Sequence, residues 1–359
     1  MSVKNYYESK DLYFSEVFGS GVYEWTGQNV NNPMIDEKES GCYSPLLVNK
    51  ITGELYFLKR FCCDSIKKEY YTSKILTPPN RDTILWPSDM VELSEEQQKS
   101  CMSFLEQEYS AAPVPVSERN GNMALLFSYS EYSNMVNALQ KYKKIPVRNW
   151  KNLDIRNMAI QILKAIDDLN KNGYVYSDIH FSRFFFKEDG SVFLNYTNLI
   201  YSFRECMSAE RDIICAFEAG KYPIEFAEPA IVREICKGMD FHTQNYSIAA
   251  MLFYLFFGRY AYDGRLLTGY ADDNLQKHYI KFRDYHKMPI FIFDTHNKEN
   301  MLGAFDDEEQ VVELWEECPE KLKELFLLTL SQNNAERKWE VYNPTPQTWL
   351  KCFSELGWM

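Results

Sequence analysis

The chain has 359 residues, 45% of them hydrophobic, with only 15 glycines and 14 prolines, a composition that excludes disorder, collagen-like repeats and low-complexity sequence. Its 39 basic and 51 acidic side chains leave a formal charge of −12, which repels a phosphate backbone, so nucleic acid is not an expected partner. Nine scattered cysteines without metal-ligand spacing, a start lacking an apolar signal-like core and the absence of any apolar run of bilayer length predict a cytoplasmic protein with reduced thiols and no membrane contact.

In chain order, residues 1–33 read as an N-terminal extension, with Gly19-Ser20-Gly21 as a turn. A β-rich unit over 34–130 follows. Leu46-Leu47-Val48, the turn Asn49 to Gly53 and then Glu54 to Lys59 predict a hairpin, because Gly53 tolerates a turn conformation that other residues resist. A short helix is expected at about Ser65 to Leu76, ended by Pro78-Pro79-Asn80. Trp86 to Leu93 and Met123 to Tyr129 read as two more strands, joined by a polar surface excursion over 94–122.

From 131 to 359 the pattern turns helical. Ile155, Met158, Ala159, Ile162, Leu163, Ile166 and Leu169 fall on one face of a helix that starts at Asn152 and stops at Asn172-Gly173. Tyr174-Val175-Tyr176 and an irregular stretch to Arg183 precede an alternating pair, Phe184 to Lys187 and Ser191 to Leu194. Tyr246 to Phe257 is apolar all round, which predicts a helix at the centre of a large unit. Further helices are expected at about 307–318, 319–332 and 345–356, making an α+β chain with its strands first.

Read in that order, from about Gly41 onward, these pieces resemble the protein kinase fold. The strand ending in Lys59 is similar to the one that carries the phosphate-pairing lysine, and Glu69 stands where its helix partner would be. Gly173 to Arg183 resembles a catalytic loop, Tyr222 to Ile231 the end of an activation segment, and Gln244 to Gly258 the central helix of the large lobe. Phe291-Ile292-Phe293-Asp294, Trp315 and Pro344-Thr345 before Trp349 resemble a bacterial kinase-like group, some of whose members occur with phosphatase and von Willebrand-type partners. The resemblance implies a small β-rich N-lobe and a larger helical C-lobe.

It also implies a site, and the departures concentrate there. Lys59 on an apolar strand reads as a paired ammonium, with Glu69 favoured over Glu54 as its partner, or as an edge-strand lysine in solvent. Asp178 matches the carboxylate that takes a proton from the attacking hydroxyl; as a bare residue it also reads as a loop cap. Asn195-Tyr196-Thr197 stands in place of Asp-Phe-Gly, and Arg183 in place of the asparagine metal ligand. Mg²⁺ wants charged oxygens, an amide is a poorer anchor, and a guanidinium within about 5 Å repels a divalent ion by several kcal/mol even at an effective dielectric of about 20. Arg183 could instead meet phosphates directly, or be a surface arginine. The phosphate-covering loop, counted back from Lys59 to Met34 through Gly41, has one glycine and three acidic residues; the less favoured alternative is Gly19-Ser20-Gly21, with an insertion after it. Ala230 and Asn343 replace both halves of a buried ion pair, and Gln244 replaces an aspartate that holds the loop backbone.

These residues imply a pseudokinase-type binding or regulatory module with a protein partner, without a metal ligand set and with ATP, if held at all, held without Mg²⁺ by Lys59 and Arg183. The alternative is a divergent Ser/Thr kinase in which Lys59 and Glu69 serve the phosphates, Asp178 is the base and Asn195 a weak metal ligand. The tyrosines around Tyr260, Tyr262 and Tyr270 read as ordinary packing or as a partner surface.

Overall fold

A computed structural model of the chain describes residues 12–19, 21–31, 43–59, 68–97, 123–131, 133, 148–177, 179–187, 189–195, 200–202, 224–233, 241–268, 289–303, 308–331 and 343–359. It is a mixed α+β structure that divides into two units: Met1–Leu139 with Phe193–Asn198, and Gln140–Val192 with Leu199–Met359. The Met34–Gly41 loop, Asp178, Tyr196, Thr197 and most of the 94–122 excursion lie outside the described residues.

The first unit is built on a six-stranded antiparallel sheet: β1 (Leu12–Phe14), β2 (Val22–Asn31), β3 (Tyr43–Asn49), β4 (Leu55–Lys59), β5 (Pro87–Glu92) and β6 (Met123–Ser128), in the order β1-β2-β3-β4-β6-β5. The expected hairpin is β3–β4, with Leu46 opposite Phe57 and Val48 opposite Leu55. Its turn is held by the Asn49 side chain, which accepts the N–H groups of Ile51 and Thr52 at 2.8 and 3.1 Å, and by Gly53 at φ +75°. Helix α1 (Lys68–Leu76) follows and packs on β5. Trp86, fully buried, ties the two together by donating its indole N–H to the Lys74 carbonyl at 2.9 Å.

The sheet corrects the reading of residues 1–33 as an extension, because they supply β1 and β2. Glu24 pairs with Val48 and Trp25 with Leu47, while Leu12 pairs with Glu24. The edge strands then meet: Ser15 bridges Val91 and the Glu16 N–H donates to the Met90 carbonyl at 2.8 Å, which removes the open edge a lone sheet would present. Tyr13, Tyr23, Leu47, Leu58, Val91, Leu93, Ala124 and Leu126 form the core inside this curl. Buried beside them, Asp89 accepts Ser15 Oγ at 2.9 Å, Tyr23 Oη at 2.6 Å and the Met90 N–H at 2.7 Å. Burial nevertheless pushes its carboxyl above the ordinary aspartate value.

The second unit is helical. α2 (Leu153–Lys171) starts at Asn152, whose side chain accepts the Asp154 N–H, and buries the whole predicted apolar stripe from Ile155 to Leu169. β7 (Tyr174–Tyr176) pairs with β10 (Ile200–Ser202); β8 (Phe184–Phe186) also belongs to this unit, whereas β9 (Val192–Leu194) ends in the first. After the short α3 (Pro229–Val232), α4 (Phe241–Phe257) runs through the centre, with 14 buried residues spread over all faces as its apolar sequence requires. α5 (Arg265–Thr268), α6 (Glu309–Glu316), α7 (Glu320–Leu330) and α8 (Pro346–Glu355) follow among the described residues. α2, α6 and α7 pack on α4, and α8 packs on α2. No helix among the described residues is long and apolar enough to cross a membrane.

Candidate functional site

Lys59 closes β4 with its Cα opposite Leu125, and Glu69 is the second residue of α1; the side chains of both lie outside the described part of the structure. Asn195 follows β9 and is 1% exposed. The strand before it is clamped within the first unit, where the Leu194 N–H donates to the Thr83 carbonyl at 2.7 Å and the Leu85 N–H to the Leu194 carbonyl at 2.9 Å. Arg183 belongs to the second unit, half-buried at the end of the 3₁₀ turn Phe181–Arg183, whose N–H donates to the His180 carbonyl at 3.0 Å. The expected residues are thus shared between the units: Lys59, Glu69 and Asn195 in one, Arg183 in the other, with Asp178 undescribed.

The backbone leading to Asp178 is fixed from the centre of the second unit. The buried Tyr176 N–H donates to Gln244 Oε1 at 2.8 Å, joining β7 to the first turns of α4. An amide oxygen at this position is expected to accept a bond from this backbone, and it does. The other half of the amide is left over: Gln244 Nε2 is buried without a hydrogen-bond partner.

Ala230 and Asn343 have different local surroundings. Ala230 is half-buried in α3, the turn that opens at Glu228, whose carbonyl accepts the N–H groups of Ile231 and Val232. Asn343 is buried, and its Nδ2 donates to the His242 carbonyl at 2.9 Å, so a neutral amide stitches the entry to α8 to the start of α4. An uncharged hydrogen bond occupies a place where a lone charge would have been costly.

Phe291, Phe293 and Trp315 come together as ring stacks: Phe293 lies parallel to Trp315 at 4.5 Å, and Phe291 meets both Trp315 and Phe253 of α4 edge-on. Tyr262 is likewise core, its hydroxyl hydrogen-bonded to that of Tyr246. Tyr260 is not. It is half-buried and stacks on Tyr254 at 4.5 Å between centroids and 11° between planes, while Tyr270 lies outside the described residues.

Around that stack are residues that sequence reasoning missed. Arg148 lies 4.4 Å over the Tyr254 ring and donates to its hydroxyl at 2.8 Å; Phe226 meets both tyrosines edge-on. Beside Phe226, in the 3₁₀ turn Ile224–Phe226, Glu225 has a carboxyl pushed above its ordinary value by burial, an effect that its own backbone N–H and the charge of His180 offset only in part. The available signal was slight: one acid between isoleucine and phenylalanine, just ahead of Glu228-Pro229.

No protein-family model and no curated protein matches the chain.

Proposed function

We propose that the chain is a pseudokinase-type binding or regulatory module: a two-lobed, kinase-like protein whose Mg²⁺–ATP site is degraded and which acts through a protein partner. The observation that carries the reading is the buried bond from the Tyr176 N–H to Gln244 Oε1. It gives the Tyr174–Arg183 segment the anchoring on a central helix that a catalytic loop requires, while the chemistry of the residues around it has changed. The element order supports the same reading: a strand ending in Lys59, a helix carrying Glu69, a long helix before the loop, a short ladder after it, and an all-round apolar helix behind it.

The degraded site follows from residue chemistry. Asn195 offers a neutral amide where a metal ion wants a carboxylate, and Arg183 is a permanent cation unable to ligate. Kinship with the bacterial kinase-like group rests on Phe291, Phe293 and Trp315, which share one aromatic cluster.

Thermal shift with ATP, with and without Mg²⁺ or Mn²⁺, tests the proposal together with transfer from labelled ATP. The expected result is no divalent-dependent shift and no transfer. A shift that persists in EDTA assigns metal-free nucleotide binding to Lys59 and Arg183. Divalent-dependent transfer abolished by Asp178→Asn overturns the module reading in favour of the divergent Ser/Thr kinase.

A further inference from the structure

The sheet of the first unit closes on itself through a small contact. Between β1 and β2 the chain turns so tightly that a Cβ on Gly21 would stand 2.8 Å from Ser15 Cβ and 3.4 Å from Asp89 Oδ2. The Ser15 hydroxyl accepts the N–H groups of Val17 and Phe18 at 3.3 and 2.9 Å and donates to Asp89 Oδ1 at 2.9 Å. The backbone of the turn meets β5 in the Ser15–Val91 bridge and in the Glu16 N–H on the Met90 carbonyl. β1 is held separately, by its pairing with β2 and by Gln97 Nε2, which donates to the Leu12 carbonyl at 2.8 Å.

Asp89, at the centre of this contact, is 1% exposed. Its bonded neighbours are all neutral: Ser15 Oγ, Tyr23 Oη at 2.6 Å and the Met90 N–H at 2.7 Å, and no ion pair reaches it among the described residues. A protonated carboxyl can keep these three bonds, because the Tyr23 hydroxyl accepts as readily as it donates. The ionised form has no opposite charge to replace the water it loses. Burial accordingly holds the carboxyl above the ordinary aspartate value, an effect that the bonds from Tyr23 and Ser15 offset only in part. The packed elements bring Tyr13 from β1, Tyr23 from β2, Tyr56 from β4 and the buried Lys74 from α1, whereas β6 carries no ionisable side chain. Burial raises the Tyr56 phenol to about 12 and that of Tyr23 further, so both stay neutral in acid and at neutrality. The remaining carboxylates are Glu16 on the turn and the exposed Glu92 at the end of β5.

We propose that Asp89 is a pH-operated latch on the first unit: protonated, it fastens the β1–β2 turn to β5 and keeps the sheet closed; ionised, it releases the turn and uncovers the β5 edge. Lifting the turn admits water to the carboxylate, while β1 stays on β2 and Gln97. The sign follows from linkage. A carboxyl that titrates higher in the closed state than in the open one favours closure below the open-state value, and that preference is lost as pH rises through the closed-state value. Opening frees the Met90 carbonyl on a strand edge that can then pair with another extended segment. The latch is independent of the reading of the chain as a pseudokinase-type module.

Native-state amide exchange of the full chain between about pH 4 and about pH 8, corrected for the intrinsic pH dependence of exchange, tests the latch. Protection of the Glu16 N–H is expected to fall several-fold as pH rises, while that of Leu126 in β6 stays level, and Asp89→Asn is expected to remove the fall. Constant Glu16 protection, an equal fall at Leu126, or a fall that persists in Asp89→Asn overturns the proposal. Should Asp89→Asn fail to fold, the carboxyl of Asp89 in the wild type is titrated by carbon NMR. Titration above the ordinary aspartate value, over the pH range in which Glu16 loses protection, supports the latch; titration at or below that value refutes it.

Discussion

Gly264, four residues beyond Tyr260, is where the backbone packing of the second unit can be tested most sharply. A Cβ at this position would stand 2.0 Å from the backbone oxygen of Asn300, 2.6 Å from its Oδ1 and 2.8 Å from its Cγ. Carbon–oxygen contacts are comfortable only beyond about 3.3 Å, so the two segments must part by more than about 1 Å. Asn300 is poorly placed to yield: it is fully buried, its Nδ2 donates to the carbonyls of Tyr262 at 3.0 Å and Ile290 at 2.8 Å, and its Oδ1 accepts the Leu266 N–H at 3.0 Å. Overpacking alone costs about 1–3 kcal/mol, and each of these bonds contributes about 1 kcal/mol. If two of the three break, Gly264→Ala loses about 3–5 kcal/mol, a fall in melting temperature of roughly 6–20 °C for a unit of this size. Calorimetric or circular-dichroism melting reads this, with amide exchange at Leu266 as the local probe. A fall below about 3 °C with unchanged Leu266 protection would show that the segment relaxes freely and that the Asn300 staple contributes little. The double variant with Asn300→Ala should cost less than the sum of the two single changes, because both disturb the same contacts.

Three further outcomes are expected. Because folding raises the Asp89 pKa, its protonated form is the one the fold favours; that contribution is fully present below the unfolded value and is lost as pH rises through the folded one. The melting temperature of the wild type relative to Asp89→Asn should therefore climb as pH falls from 7 toward 4, and a flat or opposite trend refutes the assignment. Trp358 stacks on Trp150 and packs at a tilt against Phe353, with the Arg156 guanidinium 4.3 Å over its ring and its backbone N–H donating to the Phe353 carbonyl. For this half-buried ring Trp358→Ala should cost about 2–3 kcal/mol, seen in denaturant unfolding, while Trp358→Phe recovers part of it. Replacing Gln244 by alanine leaves the Tyr176 N–H buried without an acceptor, at about 1–3 kcal/mol, and faster amide exchange at Tyr176 is the specific sign; unchanged exchange there would mean that another group holds the strand.

Local pattern carried the regular elements because each reports its own environment. The stripe from Ile155 to Leu169 has helical period and one buried face, the run around Tyr246 to Phe257 is apolar on all sides and central, and Asn49 to Gly53 contains the chemistry of its own turn. The candidate site was legible only as an order of residue types, which assigned Lys59, Glu69, Arg183 and Asn195 to positions along the chain. β2 escaped notice because Glu24, Thr26, Gln28 and Asn29 dilute its apolar pattern, and its place is set by pairing with β3.

Which polar groups are buried, and what they touch, was decided by tertiary structure. Asp89 finds Ser15 and Tyr23 at separations of 74 and 66 residues, Gln244 finds Tyr176 at 68, and Asn343 finds His242 at 101. A carboxylate or an amide reads the same in sequence whether it is solvated, satisfied or orphaned, because its free energy depends on partners that arrive only when distant segments meet. Phe226 is the apolar counterpart: one ring that reads as core in the sequence meets, once folded, both Tyr254 and Tyr260 edge-on. Apolar residues announce their fate through periodicity, since burial rewards them wherever they land; polar residues acquire theirs from the neighbours the fold supplies.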